Sequence, residues 1–242
     1  MFIWIFKRSI ALAVLLGLAG CLAPPAVSKQ DTSYAFGTRT ITVANDSIVI
    51  AGPKGYCVDK SASRLRGQTA FVLLGGCAVL SGDDHDEVPF FPGILTASVD
   101  QRGIGAATPE TLDQLAKFVS TKAGRAVLAR DGQAGSVTVL GVLRDSNAVL
   151  IHLQDKSGFQ ISGIEATYWR GLFELNGRLI TASVLGFKDH PLPAREGLAT
   201  LQAFLARIRK ETPPMPMMTA LQDGDVANAP ILQKFRLHPL FP

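Results

Sequence analysis

Long apolar segments are scarce in this sequence, which limits how the chain can meet a membrane. The longest, residues 9–20, has about 12 residues, whereas a helix needs roughly 20 apolar residues to cross a bilayer core. The basic pair Lys7-Arg8 precedes it, and the small residues Ala19 and Gly20 end it. A basic start, a short apolar centre and a small-residue end are typical of an export signal, so we do not expect a permanent transmembrane span.

Cysteine is scarce as well, with only Cys21, Cys57 and Cys77 in the chain. No Cys-x-x-Cys pair occurs, so the sequence has no sign of thiol redox catalysis or of a cysteine-based zinc site. The first cysteine ends Leu18-Ala19-Gly20-Cys21, which resembles the lipobox of bacterial lipoproteins. The resemblance implies cleavage after Gly20 and attachment of diacylglycerol and a further acyl chain, such as palmitate, to Cys21. More than one acyl chain makes such anchoring effectively permanent.

The residue after the lipobox bears on which membrane would hold the chain. Leu22 stands where enteric lipoproteins of the inner membrane have Asp, so the resemblance implies the outer membrane, facing the periplasm, ahead of the inner one. The chain as a whole resembles the small proteobacterial lipoproteins that carry no assigned activity. Its expected partners are the membrane, through lipid on Cys21, and an envelope protein or a cell-wall component.

Charge of one sign is not in large excess. The formal net charge is +4 for the full chain and falls to +2 if Lys7 and Arg8 leave with the signal. No block of basic residues remains, so we do not expect nucleic-acid binding. With 47% apolar and 18% charged residues, the composition is typical of a globular protein.

The two remaining cysteines suggest a covalent link. If Cys21 carries lipid, Cys57 and Cys77 are the thiols left in a chain exported to an oxidising compartment. We predict that they form a disulfide. Two separately buried thiols are the alternative.

Proline content and apolar periodicity divide the chain into four parts. Residues 1–20 form the signal, and residues 21–35, with Pro24-Pro25, form the lipidated N-terminus and a flexible tether. A single globular domain is predicted over 36–210. Residues 211–242 contain six prolines without apolar periodicity and are interpreted as an extended tail. Docking of its apolar end, residues 235–241, on the domain is the favoured interpretation, and docking on a partner is the alternative.

The pattern within the domain predicts an α+β fold, a mostly antiparallel β-sheet with two amphipathic helices packed on it. One helix is predicted over 109–123, between the N-cap Thr108 and Gly124, and the other over 194–210. Asn176-Gly177 is the strongest hairpin signal, because both residues accept positive φ. Strands are predicted over residues 38–44, 47–51, 68–74, 93–99, 125–130, 136–144, 148–153, 164–175 and 178–187.

The order of these elements carries a second resemblance. Residues 52–56, Gly-Pro-Lys-Gly-Tyr, follow an opening strand, and a closing strand pair over 168–187 leads into the helix around 198–208. This order resembles the Mog1/PsbP-like fold over most of residues 47–210. The resemblance implies a final helix lying across an antiparallel sheet, in a protein that binds or scaffolds partners rather than catalysing a reaction. The two cysteines and the long tail depart from that pattern.

Motifs of catalysis and cofactor binding are absent from the sequence. It has no G-x-S-x-G elbow, P-loop or dinucleotide fingerprint. The histidines lack H-E-x-x-H or other paired spacing: His85, His152, His190 and His238. We therefore expect no cofactor and favour a non-catalytic protein, although a pocket uniting Asp59, Arg64 and a histidine would favour an enzyme.

Two clusters are candidate sites. Asp84, His85 and Asp86, in the acidic run 83–87, are possible ligands of a divalent cation. Neighbouring side chains in one loop cannot all converge on an ion, so a solvated acidic loop is the favoured interpretation. Arg64 and Arg66 follow the Cys57 segment and are candidates for an anion-binding patch near the predicted disulfide. Ordinary surface charges are the favoured interpretation there.

The leading hypothesis from the sequence is a membrane-anchored envelope protein with a binding or structural role. A periplasmic enzyme without a recognisable motif and a carrier of a metal or small molecule are the alternatives. Loss of a bound ion after substitution of Asp84 and His85 would support the carrier.

Overall fold

The centre of the fold is an eight-stranded antiparallel sheet. The computed structural model describes residues 37–101, 103, 108–157 and 162–215, which belong to one compact unit. The predicted export signal, Cys21, the tether and residues 216–242 of the tail lie outside the described residues.

Ten strands occur in the described part of the chain. In order they are β1 (Gly37–Thr38), β2 (Thr40–Val43), β3 (Ile48–Ala51), β4 (Tyr56–Arg66), β5 (Thr69–Gly76), β6 (Ile94–Val99), β7 (Val137–Asp145), β8 (Ala148–Asp155), β9 (Ile164–Leu175) and β10 (Arg178–Phe187). The sheet order is β1-β4-β5-β6-β10-β9-β8-β7, and β2 and β3 form a separate hairpin. Every paired strand is antiparallel to its neighbour, which confirms the predicted sheet type.

The β9–β10 hairpin lies in the middle of the sheet. Leu175 pairs with Arg178, which leaves Asn176 and Gly177 as a two-residue turn. Their φ angles of 51° and 71° lie in the left-handed region, which Asn and Gly tolerate best. The predicted Asn-Gly hairpin is therefore confirmed.

Four helices and a short 3₁₀ turn accompany the strands in the described residues. They are α1 (Cys77–Ser81), α2 (Pro109–Phe118), α3 (Lys122–Leu128) and α4 (Ala194–Glu211), with the 3₁₀ turn at Ala134–Ser136. Helix α4 confirms the second predicted helix. No helix among these is both long and apolar enough to cross a membrane.

One predicted helix is divided in two, and one predicted strand does not form. The helix predicted over 109–123 ends at Phe118, and the strand predicted over 125–130 is wrong because α3 occupies most of that range. Thr121 caps α3, since its hydroxyl accepts a hydrogen bond from Gly124 N at 3.0 Å. Gly124 also approaches the Phe118 carbonyl more closely than a residue with a Cβ could. A threonine cap and a close glycine thus divide a single amphipathic stretch.

Two elements have no counterpart in the sequence prediction. No strand was predicted over any part of β4, whose second half is polar and mostly exposed and whose pairing with β5 is irregular between Asp59 and Arg64. It therefore lacks the alternation that marks a strand in a sequence. Helix α1 is too short to produce a helical pattern of its own.

Apolar side chains cover both faces of the sheet. On β10, Ile180 and Val184 point to one face, whereas Leu179 and Leu185 point to the other, as the two-residue period of a strand requires. Helix α4 packs on the first face through Leu201, Phe204, Leu205 and Ile208. Helices α2 and α3 pack on the second face through Leu112, Leu115 and Leu128. The α+β prediction is confirmed, with helices on opposite sides of the sheet.

A disulfide joins Cys57 on β4 to Cys77 at the start of α1, as predicted. The two residues are only 7% and 1% exposed. They are 20 residues apart in sequence, so the chain-entropy estimate of the stabilisation is about 3 kcal/mol. The bond fixes the short helix α1 against the sheet.

Candidate functional site

A pocket lies between the β2–β3 turn and the β9–β10 turn. Its volume is about 390 Å³, within the range of about 300–1,000 Å³ that is typical of ligand sites. We call it the turn pocket. It is lined by Ala44, Asn45, Asp46, Ser47, Gln101, Asn176, Gly177, Arg178 and Met215.

The β2–β3 turn has an unusual backbone. Ala44, Asn45 and Asp46 have φ angles of 58°, 55° and 61°, all in the left-handed region. Hairpin loops of this length are most often built around a type I turn, whose central φ angles are negative. A non-glycine residue in the left-handed region costs roughly 1 kcal/mol or more. The turn therefore needs support from its surroundings.

Side chains from the β9–β10 hairpin supply part of that support. Arg178 Nε donates to Ser47 Oγ at 2.8 Å, and Asn176 Nδ2 donates to the Ser47 carbonyl at 2.8 Å. Ser47 Oγ in turn donates to the Ala44 carbonyl at 2.7 Å. Arg178 Nη1 also donates to the Gln68 carbonyl at 2.9 Å. These bonds hold the strained turn in one geometry, with Arg178 as the central donor.

The chain that follows α4 forms another wall of the turn pocket. Thr212 Oγ1 accepts a hydrogen bond from Val49 N at 3.0 Å and donates to the Val49 carbonyl at 3.3 Å. Asn176 Nδ2 donates to the Pro213 carbonyl at 3.0 Å, and Asn176 Oδ1 accepts from Met215 N at 3.4 Å. Met215 is thereby held with its side chain half exposed beside the pocket.

Several polar groups of the turn pocket are available to a ligand. Within the described residues, the side chains of Asn45, Asp46 and Gln101 make no hydrogen bond or ion pair, and all three are exposed. Arg178 Nη2 likewise makes no hydrogen bond within the described residues, whereas Nε and Nη1 of that guanidinium are both bonded. The described part of the lining contains no histidine or cysteine, and its one hydroxyl, on Ser47, donates to the Ala44 carbonyl and accepts from Arg178. The arrangement suits binding through hydrogen bonds.

The predicted arginine patch lies elsewhere. Arg64 and Arg66 are at the end of β4 remote from Cys57, so the structure does not bring them to the disulfide. Both are exposed. Arg64 Nη1 donates to the carbonyls of Ser61 and Ser63, at 3.1 and 3.2 Å, so its bonds stay within its own strand.

Asp59 also bonds within its own segment. Its Oδ1 accepts hydrogen bonds from Ser61 N at 2.8 Å and from Ala62 N at 3.0 Å. These bonds stabilise the irregular part of β4. In the described residues, Asp59 is bonded neither to Arg64 nor to a histidine, so the grouping that would favour an enzyme is not formed there.

The acidic loop meets basic side chains. Glu87 lies 3.1 Å from Arg39 and 3.7 Å from Lys54, and Asp86 lies 3.9 Å from Arg39. The candidate ligands Asp84 and His85 are exposed, and His85 N donates to Asp83 Oδ1 at 2.9 Å. Among the described residues, no group of three His, Cys, Asp or Glu side chains is placed to hold a metal ion.

A buried arginine ties α3 to the sheet. Arg170 on β9 is 2% exposed, and its Nη1 donates to the Leu128 carbonyl at the end of α3, at 3.0 Å. Its Nη2 donates to Tyr168 Oη at 2.8 Å, and its Nε donates to Ser183 Oγ at 3.3 Å. The sequence signal was an arginine within an apolar strand, but no pattern indicated its partners. Its three hydrogen-bond partners are uncharged groups of the fold itself, so we assign Arg170 a structural role.

His152 also belongs to the structure rather than to the turn pocket. Its ring stacks on Trp169 at 4.7 Å with an interplanar angle of 13°. Burial lowers the pKa of His152, and the charge of Glu165 opposes that shift. Trp169 is buried, and its Nε1 donates to the Ala194 carbonyl at 2.8 Å, which fixes the start of α4.

Comparisons with protein-family models, with curated proteins and with solved structures found no match.

Sequence reasoning located both turns of the pocket but not the pocket. The hairpins at Asp46 and Asn176 were predicted from local patterns, whereas their meeting depends on contacts such as Arg178–Ser47, which spans 131 residues. The repeated use of Asn and Asp in turns is a local signal for positive φ. It carries no information about which turns lie together.

Proposed function

We propose that the mature chain is a lipid-anchored binding domain of the bacterial envelope, without catalytic activity of its own. The observation that carries the binding role is the turn pocket, in which exposed polar groups surround a backbone held by other elements. Strained backbone that persists because its surroundings hold it is concentrated at functional sites. A pre-organised pocket also loses less entropy when a ligand binds.

The location rests on the cysteines. Leu18-Ala19-Gly20-Cys21 resembles a lipobox, which supports lipid attachment at Cys21. Cys57 and Cys77 are paired, and structural disulfides persist mainly in exported proteins. Leu22 favours the outer membrane over the inner one. The resemblance to the Mog1/PsbP-like fold adds support for a protein that binds partners.

The anchoring is tested by the mass of the N-terminal peptide. We expect full-length protein expressed in a Gram-negative bacterium to begin at Cys21, with the added mass of diacylglycerol and an acyl chain. Cys21→Ser should lack the lipid and leave the membrane-anchored pool, because the thiol is the attachment point. Mass spectrometry of membrane and soluble fractions measures both.

Matched variants sharpen this test. The Cys57→Ser, Cys77→Ser double variant should keep its lipid, since neither residue belongs to the lipobox. Leu22→Asp should keep its lipid and move from the outer-membrane to the inner-membrane fraction. A wild-type chain that retains Met1, or one that is cleaved without lipid at Cys21, would overturn the anchoring.

A further inference from the structure

The charge of the turn pocket narrows the class of ligand. Among the described residues of its lining, one is anionic, Asp46, and one is cationic, Arg178. An anion bound to the free Nη2 of Arg178 would share the pocket with the Asp46 carboxylate. Among these described residues a metal ion would find one carboxylate, whereas hard cations take several oxygen ligands. The balance of charge favours a neutral ligand.

The shape of the polar groups in the turn pocket narrows the class of ligand further. Asn45, Asp46, Gln101 and Arg178 end in planar groups with paired donors or acceptors, and Asn45, Asp46 and Gln101 are free to turn toward a ligand. Two neighbouring hydroxyl groups on a ligand can each donate and accept a hydrogen bond. Such a pair can therefore bond to both polar atoms at the end of one planar side chain. A ring that also presents C–H groups can pack on the half-exposed Met215. A sugar combines these properties in one molecule.

The support of the turn indicates that the site is built before any ligand arrives. Arg178 and Asn176 fix Ser47, and Asn176 fixes residues 213 and 215. The free side chains therefore project from a backbone that is already held. Such pre-organisation allows binding through a few hydrogen bonds.

We infer that the turn pocket binds a saccharide, as a short stretch or an end of a glycan. This inference rests on the proposed binding function but not on the lipid anchor. A cell-wall glycan and a plain glucan share the hydroxyl chemistry and differ in acetamido groups. A probe that carries acetamido groups and a probe that lacks them distinguish the two kinds of glycan.

The test is ligand-observed saturation-transfer NMR on the full chain in a detergent without sugar headgroups. The probes are the trimer of N-acetylglucosamine and maltotriose, and trialanine is the non-saccharide probe. We expect saturation transfer to at least one saccharide and none to trialanine. Transfer to the N-acetylglucosamine trimer alone would identify acetamido sugars, and transfer to both would identify saccharides in general.

Two variants assign the binding to the pocket. Asp46→Gly removes the carboxylate at a position where glycine tolerates the φ of 61°. Gln101→Ala removes an exposed amide that bonds to no described residue, so folding is preserved. Each should weaken binding about fivefold, the effect of losing roughly one hydrogen bond. The exposed controls Asp84→Gly and Gln114→Ala should leave it unchanged.

The outcomes separate the inference from the proposed function. Equal binding by all four variants, or no transfer to either saccharide, would overturn the saccharide site. Binding of trialanine instead, sensitive to Asp46→Gly, would leave a binding domain with a different ligand class. Failure of lipid attachment at Cys21 would remove the anchor and leave this test unaffected.

Discussion

The ring of His152 shows how one side chain links packing to pH. It is partly buried against Trp169, and burial disfavours its charged form, so its pKa lies below the ordinary value of 6.5. Near and below pH 6.5 the unfolded chain therefore binds more protons than the folded one. The contribution of neutral His152 to the free energy of unfolding is therefore complete above pH 6.5. It is lost as the pH falls toward and through the lowered pKa.

We accordingly expect His152→Gln to reduce the decline in stability on acidification. The free energy of unfolding in urea, measured from above pH 6.5 to well below it, provides the test. His190→Gln is the matched control, because that side chain is exposed. Equal acid sensitivity of wild type and His152→Gln would show that other groups set the pH dependence.

The bonding partners of single residues differed in how far they could be predicted from the sequence. The pairing of Cys57 with Cys77 was predicted by counting, since the expected lipidation of Cys21 left one possible pair. The partners of Arg170 did not follow, because Leu128 and Ser183 come from other elements. A residue's chemistry can be read locally, but its partners depend on tertiary packing.

At the scale of elements, the junction between α2 and α3 leads to a prediction about Gly124. A Cβ on Gly124 would lie 2.0 Å from the Phe118 carbonyl oxygen and 2.7 Å from Val119 Cα. Gly124→Ala should therefore destabilise the protein by about 1–3 kcal/mol, as overpacking does. The helix propensity of alanine, worth about 1 kcal/mol, acts in the opposite direction.

The control for this effect is Gly135→Ala, where a Cβ would meet nothing within 4 Å. We expect it to stay within about 0.5 kcal/mol of wild type. Urea denaturation of both variants gives the comparison. If Gly124→Ala were as stable as Gly135→Ala, close approach would not explain the break between the helices.

The elements that the sequence predicted well were those with local signals. The β9–β10 hairpin was found because Asn176-Gly177 specifies its turn, and α4 because its apolar face repeats over several turns. The strand predicted over 125–130 failed because Val127 and Leu128 also fit a helix capped at Thr121. The polar end of β4 has no apolar alternation. The secondary structure of short or polar elements depends on contacts with residues distant in sequence, and a local pattern does not show those contacts.

At the scale of the whole molecule, the chain after α4 closes the fold onto its first hairpin. A chain ending at Met215 keeps the bonds of Thr212 to Val49 and of residues 213 and 215 to Asn176. A chain ending at Glu211 loses them. We expect the shorter chain to be less stable by about 2–6 kcal/mol, because four hydrogen bonds are lost and each contributes roughly 0.5–1.5 kcal/mol.

The two truncations control for each other, because both lack residues 216–242. The midpoint of urea denaturation measures the difference. Thr212→Val in the longer chain should reproduce part of it by removing the hydroxyl that bonds Val49. Identical midpoints for the two truncations would contradict a stabilising role of residues 212–215.

The general architecture could be predicted, because alternation and helical periodicity specify a sheet with helices packed on it. The strand order and the turn pocket could not, since both depend on which distant segments meet. Residues 212–215 illustrate the point: the sequence placed them in a tail, yet they bond to β3 and to the β9–β10 turn. Their proline-rich composition indicated no regular structure but said nothing about contact.

The bond between Val49 and Thr212 also bears on the order of assembly. The two residues are 163 positions apart, so the first hairpin is synthesised long before this partner, and the bond can form only after Thr212 has been added to the chain. Until then its peptide groups at Val49 are open to water and to proteases. A chain interrupted before Thr212 would therefore lack this bond at its N-terminal hairpin.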